Sequence, residues 1–191
     1  MNKKTVALTF DQYQNIINTI KNGFCYAGRD YQPNERIATA LMLEANLGLR
    51  IGDVLHLHAC DIVKDGNRYR LDISEEKTEK SRYFTVTSEI RDFIEEYRKN
   101  RNLSESQRLF DLSERQVQKH LKAACDFLGL SGISTHSFRK FFATEIYINN
   151  DYNIELVRQL LQHSSTAVTQ RYIGIQQKQV ETALKNHVRL L

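Results

Sequence analysis

Apolar residues recur at helical spacing along most of this chain. The stretch that breaks the rule, from about Asp61 to Thr87, constrains the fold most. There "DIVKDGNRYRLDI" reads as two strands joined at Asp65-Gly66, a dipeptide suited to the positive torsion of a tight hairpin turn. "RYFTVT" alternates as a third strand, with a charged link, "SEEKTEKS", before it. Beyond Ser88 every periodic segment is helical, over roughly 88–100, 113–128, 135–148, 153–162, 165–173 and 176–188.

Upstream of the strands, Thr9 and Gln12 make a capping box that opens an amphipathic helix through about Ile20. "KNGFCYAGRDYQPNE", with two glycines and the only proline, reads as a loop. Asn34 caps a second helix, "ERIATALMLEANL", and Gly48 is placed to end it. "RIGDVLHL" then starts a short helix at or just after Arg50. No internal repeat, low-complexity tract or linker interrupts the sequence. The expected fold is mainly α with a small antiparallel β-sheet, an α+β domain over 1–191.

A chain of 191 residues has enough material for a substantial core. No apolar run approaches a membrane span, and no apolar h-region follows the N-terminal lysines. Cys25, Cys60 and Cys125 are odd in number and far apart, so neither a disulfide framework nor a zinc knuckle is expected. Plain thiols in a reducing cytoplasm fit this pattern. "HLH" at 56–58 looks ligand-like but lacks partnering ligands. The net charge is +4, and residues 1–100 hold 15 basic and 15 acidic side chains, so the excess lies in the second half. That permits nucleic-acid binding without demonstrating it.

Several residues invite a chemical reading. His136 and Arg139 are three apart at the start of a helix, one face of a first turn that favours an anion. Arg139 offers a guanidinium fork that matches a phosphate; a solvated first turn is the plain alternative. Arg50 stands at an element boundary with Asp53 three residues on, either orienting it for function or forming a structural ion pair. Lys77 lies in the charged link, with Lys80 as a close competitor. His163 ends one helix, and Tyr172 falls in the next. Taken singly, each of these also reads as ordinary surface or core.

In order and in local wording these residues resemble the catalytic domain of the tyrosine recombinases, the phage integrase family. "GLRIGDVL" matches the family's first arginine box with Arg50 and Asp53. "EKTEKS" matches its β-turn lysine at Lys77, with Glu where Gly is frequent. "HSFRK" matches the H-x-L-R box at His136 and Arg139, with Phe138 for Leu. "LQHSSTAVTQRY" matches the last box at His163 and Tyr172, with Gln162 where Gly is usual. The likeness runs from "LTFDQYQNII" to the final helix and covers nearly the whole chain.

The resemblance implies an enzyme that cuts and rejoins DNA at specific sites, with no metal or other cofactor. It makes Tyr172 the nucleophile of a 3′-phosphotyrosyl intermediate. Arg50 and Arg139 would hold the non-bridging oxygens, and Lys77 would protonate the leaving 5′-oxygen. His136 would manage the tyrosine proton, and His163 would donate to a phosphate oxygen. Free Tyr is almost wholly protonated at pH 7, so such help is chemically necessary.

The helix "SERQVQKHLKAACDF" resembles the family helix that lies against duplex DNA. Arg115, Lys119 and Lys122 would meet phosphates and Gln116 a base edge, with Lys80 and Lys140 as further candidates. The partners implied are double-stranded DNA, other copies of the chain in a tetrameric synapse, and accessory DNA-bending proteins. No membrane is expected, and the setting implied is a bacterial or mobile-element cytoplasm. The last helix, "QQKQVETALKNHVRLL", carries an apolar stripe suited to docking on a neighbouring protomer. The family's separate core-binding domain is not recognised here, which leaves a fragment or a short member as open alternatives. A type IB topoisomerase-like enzyme and a non-cutting DNA-binding regulator on the same fold are the rival readings.

Overall fold

Thr9 opens the first helix, α1 (Phe10–Asn22), through a reciprocal cap. Its hydroxyl accepts the Gln12 N–H at 3.2 Å, and the Gln12 side chain accepts the Thr9 N–H at 3.0 Å. Ile16, Ile17 and Ile20 form the buried face of α1. A short hairpin follows, β1 (Phe24–Tyr26) and β2 (Arg29–Tyr31), paired Phe24 to Tyr31 and Tyr26 to Arg29. The sequence reads as loop here. Its turn residues Ala27 and Gly28 both have positive φ, 51° and 72°. That is the primed geometry which matches the twist of two paired strands.

Asn34 accepts the Ile37 N–H at 3.1 Å and starts α2 (Glu35–Leu47). This helix is buried along most of its length, Glu44 included. Gly48 ends it in the left-handed region, φ 59° and ψ 25°, its N–H donating to the Glu44 carbonyl. A Cβ there would lie 2.4 Å from the Phe142 ring, so glycine is required by both backbone and space. Gly48→Ala is expected to destabilise the fold by about 2–4 kcal/mol, as strain and overpacking together would. Urea melts of the two proteins check this, and equal midpoints would contradict it.

Arg50 then precedes the five-residue helix α3 (Ile51–Leu55). A 3-10 turn at Ala59–Asp61 leads into β3 (Ile62–Asp65), β4 (Arg68–Ser74) and β5 (Ser81–Val86). These form an antiparallel sheet in that order, registered Asp65 to Arg68 and Ser74 to Ser81. The turn sits one residue later than the sequence suggests, at Gly66-Asn67, with Gly66 at φ 61°. Next come α4 (Ser88–Asn100), α5 (Glu114–Phe127), α6 (Thr135–Asn149), α7 (Ile154–Leu161) and α8 (Thr166–Ile173). The mainly helical fold with small antiparallel sheets is as expected.

This computed structural model describes residues 5–74 and 81–173, apart from the side chains of Ser74, Arg82 and Arg171. Lys77, Lys80 and the last expected helix lie outside them. The chain divides into two units, the first ending at Phe142 and the second starting at Ala143, within α6. The core of the first unit joins α1, α2, α3, α5 and the sheet through residues such as Ile16, Leu41, Leu49, Val54, Leu71 and Leu121. In the second unit Val157 and Leu161 are the buried face of α7.

Candidate active site

Two distant segments of the first unit line one cavity of about 260 Å³. Arg50, Ile51, Gly52 and Asp53 come from the start of α3, and Thr135 and His136 from the start of α6. Glu114 and Gln118, one turn apart on α5, close the remaining side. The Arg50 guanidinium lies 3.9 Å from the Asp53 carboxylate, and it is 30% exposed where Asp53 is 3%. Asp53 therefore steers the guanidinium while leaving part of its surface open. His136 is exposed in the first turn of α6, where N–H groups not used by the helix favour an anion.

Arg139 is placed differently. It is 1% exposed, does not line this cavity, and donates from Nη1 to the Gly48 carbonyl at 2.6 Å. The i, i+3 spacing put it on the face of His136, but depth differs between the two. This bond fixes α6 against the turn that presents Arg50. Beneath that turn lies Glu44, fully buried, with no hydrogen bond to either carboxyl oxygen. Burial pushes its acid well above the ordinary 4.5. Arg139 opposes that rise and Glu114 adds to it, and the Ile51 N–H, outside hydrogen-bond geometry, opposes it further.

The sign of the resulting pH effect is definite. A carboxyl whose folded value is raised stabilises the native state fully below its unfolded value of 4.5. That stability is lost as pH climbs from there through the folded value. Glu44→Gln, uncharged at every pH, is expected to remove the loss. Melting temperatures of the two proteins should diverge in favour of the variant as pH rises above about 4.5. Parallel curves would show that Glu44 does not titrate with folding.

In the second unit, His163 follows Gln162, whose φ of 54° is left-handed and explains why glycine suits that position. The His163 ring nitrogen Nδ1 lies 3.0 Å from the hydroxyl of buried Thr169. That hydroxyl donates to the Ser165 carbonyl at 3.3 Å, so it accepts from the imidazole N–H. The tautomer with the proton on Nδ1 is thereby set by Thr169. Tyr172 packs edge-on against the same ring, with centroids 5.1 Å apart at 75°. Arg158 donates to the His163 carbonyl at 3.1 Å and steadies the loop.

Thr169 and the Glu114–Gln118 pair went unread in the sequence. The signals were present: a Thr six residues after a loop His, and two polar residues four apart on a helix.

Of the residues expected to meet DNA, Arg115, Gln116, Lys119 and Lys122 are exposed on α5. Gln116 also closes the α5 capping box, accepting the Ser113 N–H at 2.8 Å, and Lys122 pairs with Asp126. Lys140 instead donates to the Thr5 carbonyl at 2.7 Å and ties down the N-terminal segment. The two histidines of "HLH" serve local structure. His56 bonds the Gly52 carbonyl at 2.9 Å, and His58 lies 3.4 Å from Asp61. Among the described residues no group of three His, Cys, Asp or Glu side chains is arranged to hold a metal.

With this geometry in view, the family follows. The model of the phage integrase family matches residues 7–179, so the chain belongs to that family. A probable integrase/recombinase of Bacillus subtilis, YoeC, is 33% identical over 159 residues, covering 80% of this chain and 84% of its own. Among solved structures, the catalytic domain of bacteriophage HP1 integrase superposes with a TM-score of 0.65 at 18% identity, covering 96% of both chains. The XerH site-specific recombinase, in a post-cleavage complex with palindromic difH substrate, superposes at 0.71 with 21% identity. This chain spans 96% of itself and 54% of XerH in that match. At such identities the two structures speak for the fold, which is that of recombinase catalytic domains.

Proposed function

We propose that this chain is the catalytic domain of a site-specific recombinase that cuts and rejoins duplex DNA through a covalent link to Tyr172. The observation that carries this reading is the cavity that Arg50, Asp53 and His136 share, built from segments more than 80 residues apart in the sequence. A cation steered by a buried acid, beside a helix start, suits a phosphodiester. The DNA-bound state of XerH supports duplex DNA as the substrate.

In the proposed reaction the Tyr172 oxygen attacks phosphorus as its proton passes to His136. The bond to the 5′-oxygen breaks, and that oxygen takes a proton from Lys77, or from Lys80 in its place. Arg50 stabilises the charge on the non-bridging oxygens from the cavity, and Arg139 joins it when its guanidinium turns from the Gly48 carbonyl to the phosphate. His163, its Nδ1–H committed to Thr169, donates from Nε2 as the imidazolium. The product is a 3′-phosphotyrosyl ester and a free 5′-hydroxyl, so attack by a second 5′-hydroxyl reverses the step without an energy source. A synaptic tetramer and docking of the final helix in trans belong to the same reading.

The test is covalent capture. The protein is incubated with 5′-labelled, nicked duplexes drawn from the DNA beside its own coding sequence. A labelled band that resists SDS and disappears with protease is expected. Binding without any such band would favour the non-cutting regulator.

A further inference from the structure

Neither the sequence nor the proposed reaction gives the β1–β2 hairpin a task. Four rings pin it to α5. Phe24 stacks on Tyr31 with centroids 4.6 Å apart and meets Phe127 at 5.3 Å, while His120 meets Phe24 edge-on at 5.8 Å and Tyr31 at 5.6 Å. Between hairpin and helix runs an open groove of about 210 Å³, lined by Arg29, Arg36 and Lys119 with Gln116 among the polar groups. None of its lining residues is acidic. Arg29 is held over the Tyr31 ring at 5.2 Å, and the nearby carboxylate of Asp30 is engaged by Cys25 and Gln32. Three cations facing one groove, with no counter-charge in its lining, repel one another until an anion enters.

Position gives the anion an identity. With 3.6 residues per turn, Glu114 and Gln118 lie on one flank of α5 and Gln116, Lys119 and His120 on the other, roughly 170° apart. The first flank lines the Arg50–His136 cavity and the second lines the cationic groove. Exposed Arg115 and Lys122 stand between the two on the outward side. A helix with its side chains is about 10–12 Å across, and the major groove of duplex DNA is about 12 Å wide. A helix seated there has a phosphate rim on each side.

We propose that the groove between the β1–β2 hairpin and α5 is a second phosphodiester site. It takes the backbone of the uncut strand across the major groove, while the Arg50–His136 cavity takes the strand to be cut. This rests on the DNA-cutting reading above and adds a second contact to it. The role of the four-ring cluster is to hold Arg29 at that rim in the absence of DNA.

Fluorescence anisotropy with a labelled duplex of about 30 base pairs and arbitrary sequence, titrated across salt concentrations, tests this. Each phosphate contact contributes about 0.9 to the salt slope, so Arg29→Gln/Arg36→Gln is expected to lower it by about 2. Affinity at 0.1 M salt should fall on the order of 30-fold. Lys64→Gln/Lys99→Gln removes the same charge elsewhere and should stay within about 3-fold of the parent protein. Should the hairpin variant melt early, Arg36→Gln alone is read for a slope lower by about 1. A hairpin variant that matches the parent overturns the proposal, as does an equal loss in the control. Failure of the parent protein to bind duplex at all would remove the DNA reading itself, and this inference with it.

Discussion

Arg139→Ala is expected to lose both stability and cleavage, a combination that a surface arginine would not show. The side chain is 1% exposed and donates at 2.6 Å to the carbonyl of Gly48, the residue that ends α2 and leads to Arg50. Truncation removes that bond and leaves a void beside Glu44, at a cost of about 3 kcal/mol. The loss should appear as an earlier urea midpoint. Cleavage should fall by a further 10²–10³ or so when measured under conditions where the variant is folded, as the proposed contact to the phosphate is lost. Arg139→Lys separates the two roles. A lysine supplies one point charge in place of a planar fork, so it should recover part of the stability and little of the rate. A variant as stable as its parent would mean that the Gly48 bond does not hold the turn.

Tyr172→Phe is expected to abolish the covalent adduct and leave the rest of the protein intact. Phenylalanine keeps the ring that packs edge-on against His163 at 5.1 Å and removes the oxygen alone. Melting temperature and duplex affinity should therefore match the parent closely, whereas adduct formation should fall below detection. Normal adduct formation would sink the assignment of Tyr172.

What the sequence discloses and what it hides follow from the range of the interactions involved. Thr9 with Gln12, Asn34, and Gly48 are local devices: each cap acts on backbone within four residues, so each is legible in a short window. The Arg50–Asp53 pair is legible for the same reason. The β1–β2 hairpin is not, because strands of three residues hold barely one alternation. What secures them is a ring cluster with His120 and Phe127, some 90 residues away. Depth is equally hidden. His136 and Arg139 share a helix face by spacing, yet one is exposed and the other sealed, because the start of α6 is buried except at His136 and Arg139 lies a turn deeper, against Gly48. Glu44 reads as an ordinary polar position of α2, and tertiary packing alone makes it a buried acid.

Direct mapping of the covalent adduct tests the central claim. Protein trapped on a nicked duplex is digested with nuclease and then with trypsin, which cuts after Arg171 and Lys178. The account predicts that the peptide 172–178 carries the residual nucleotide, joined through phosphate to Tyr172. A nucleotide on any other residue, such as Tyr147 or Tyr152, or the complete absence of a linked peptide from a protein that binds the duplex, would contradict it.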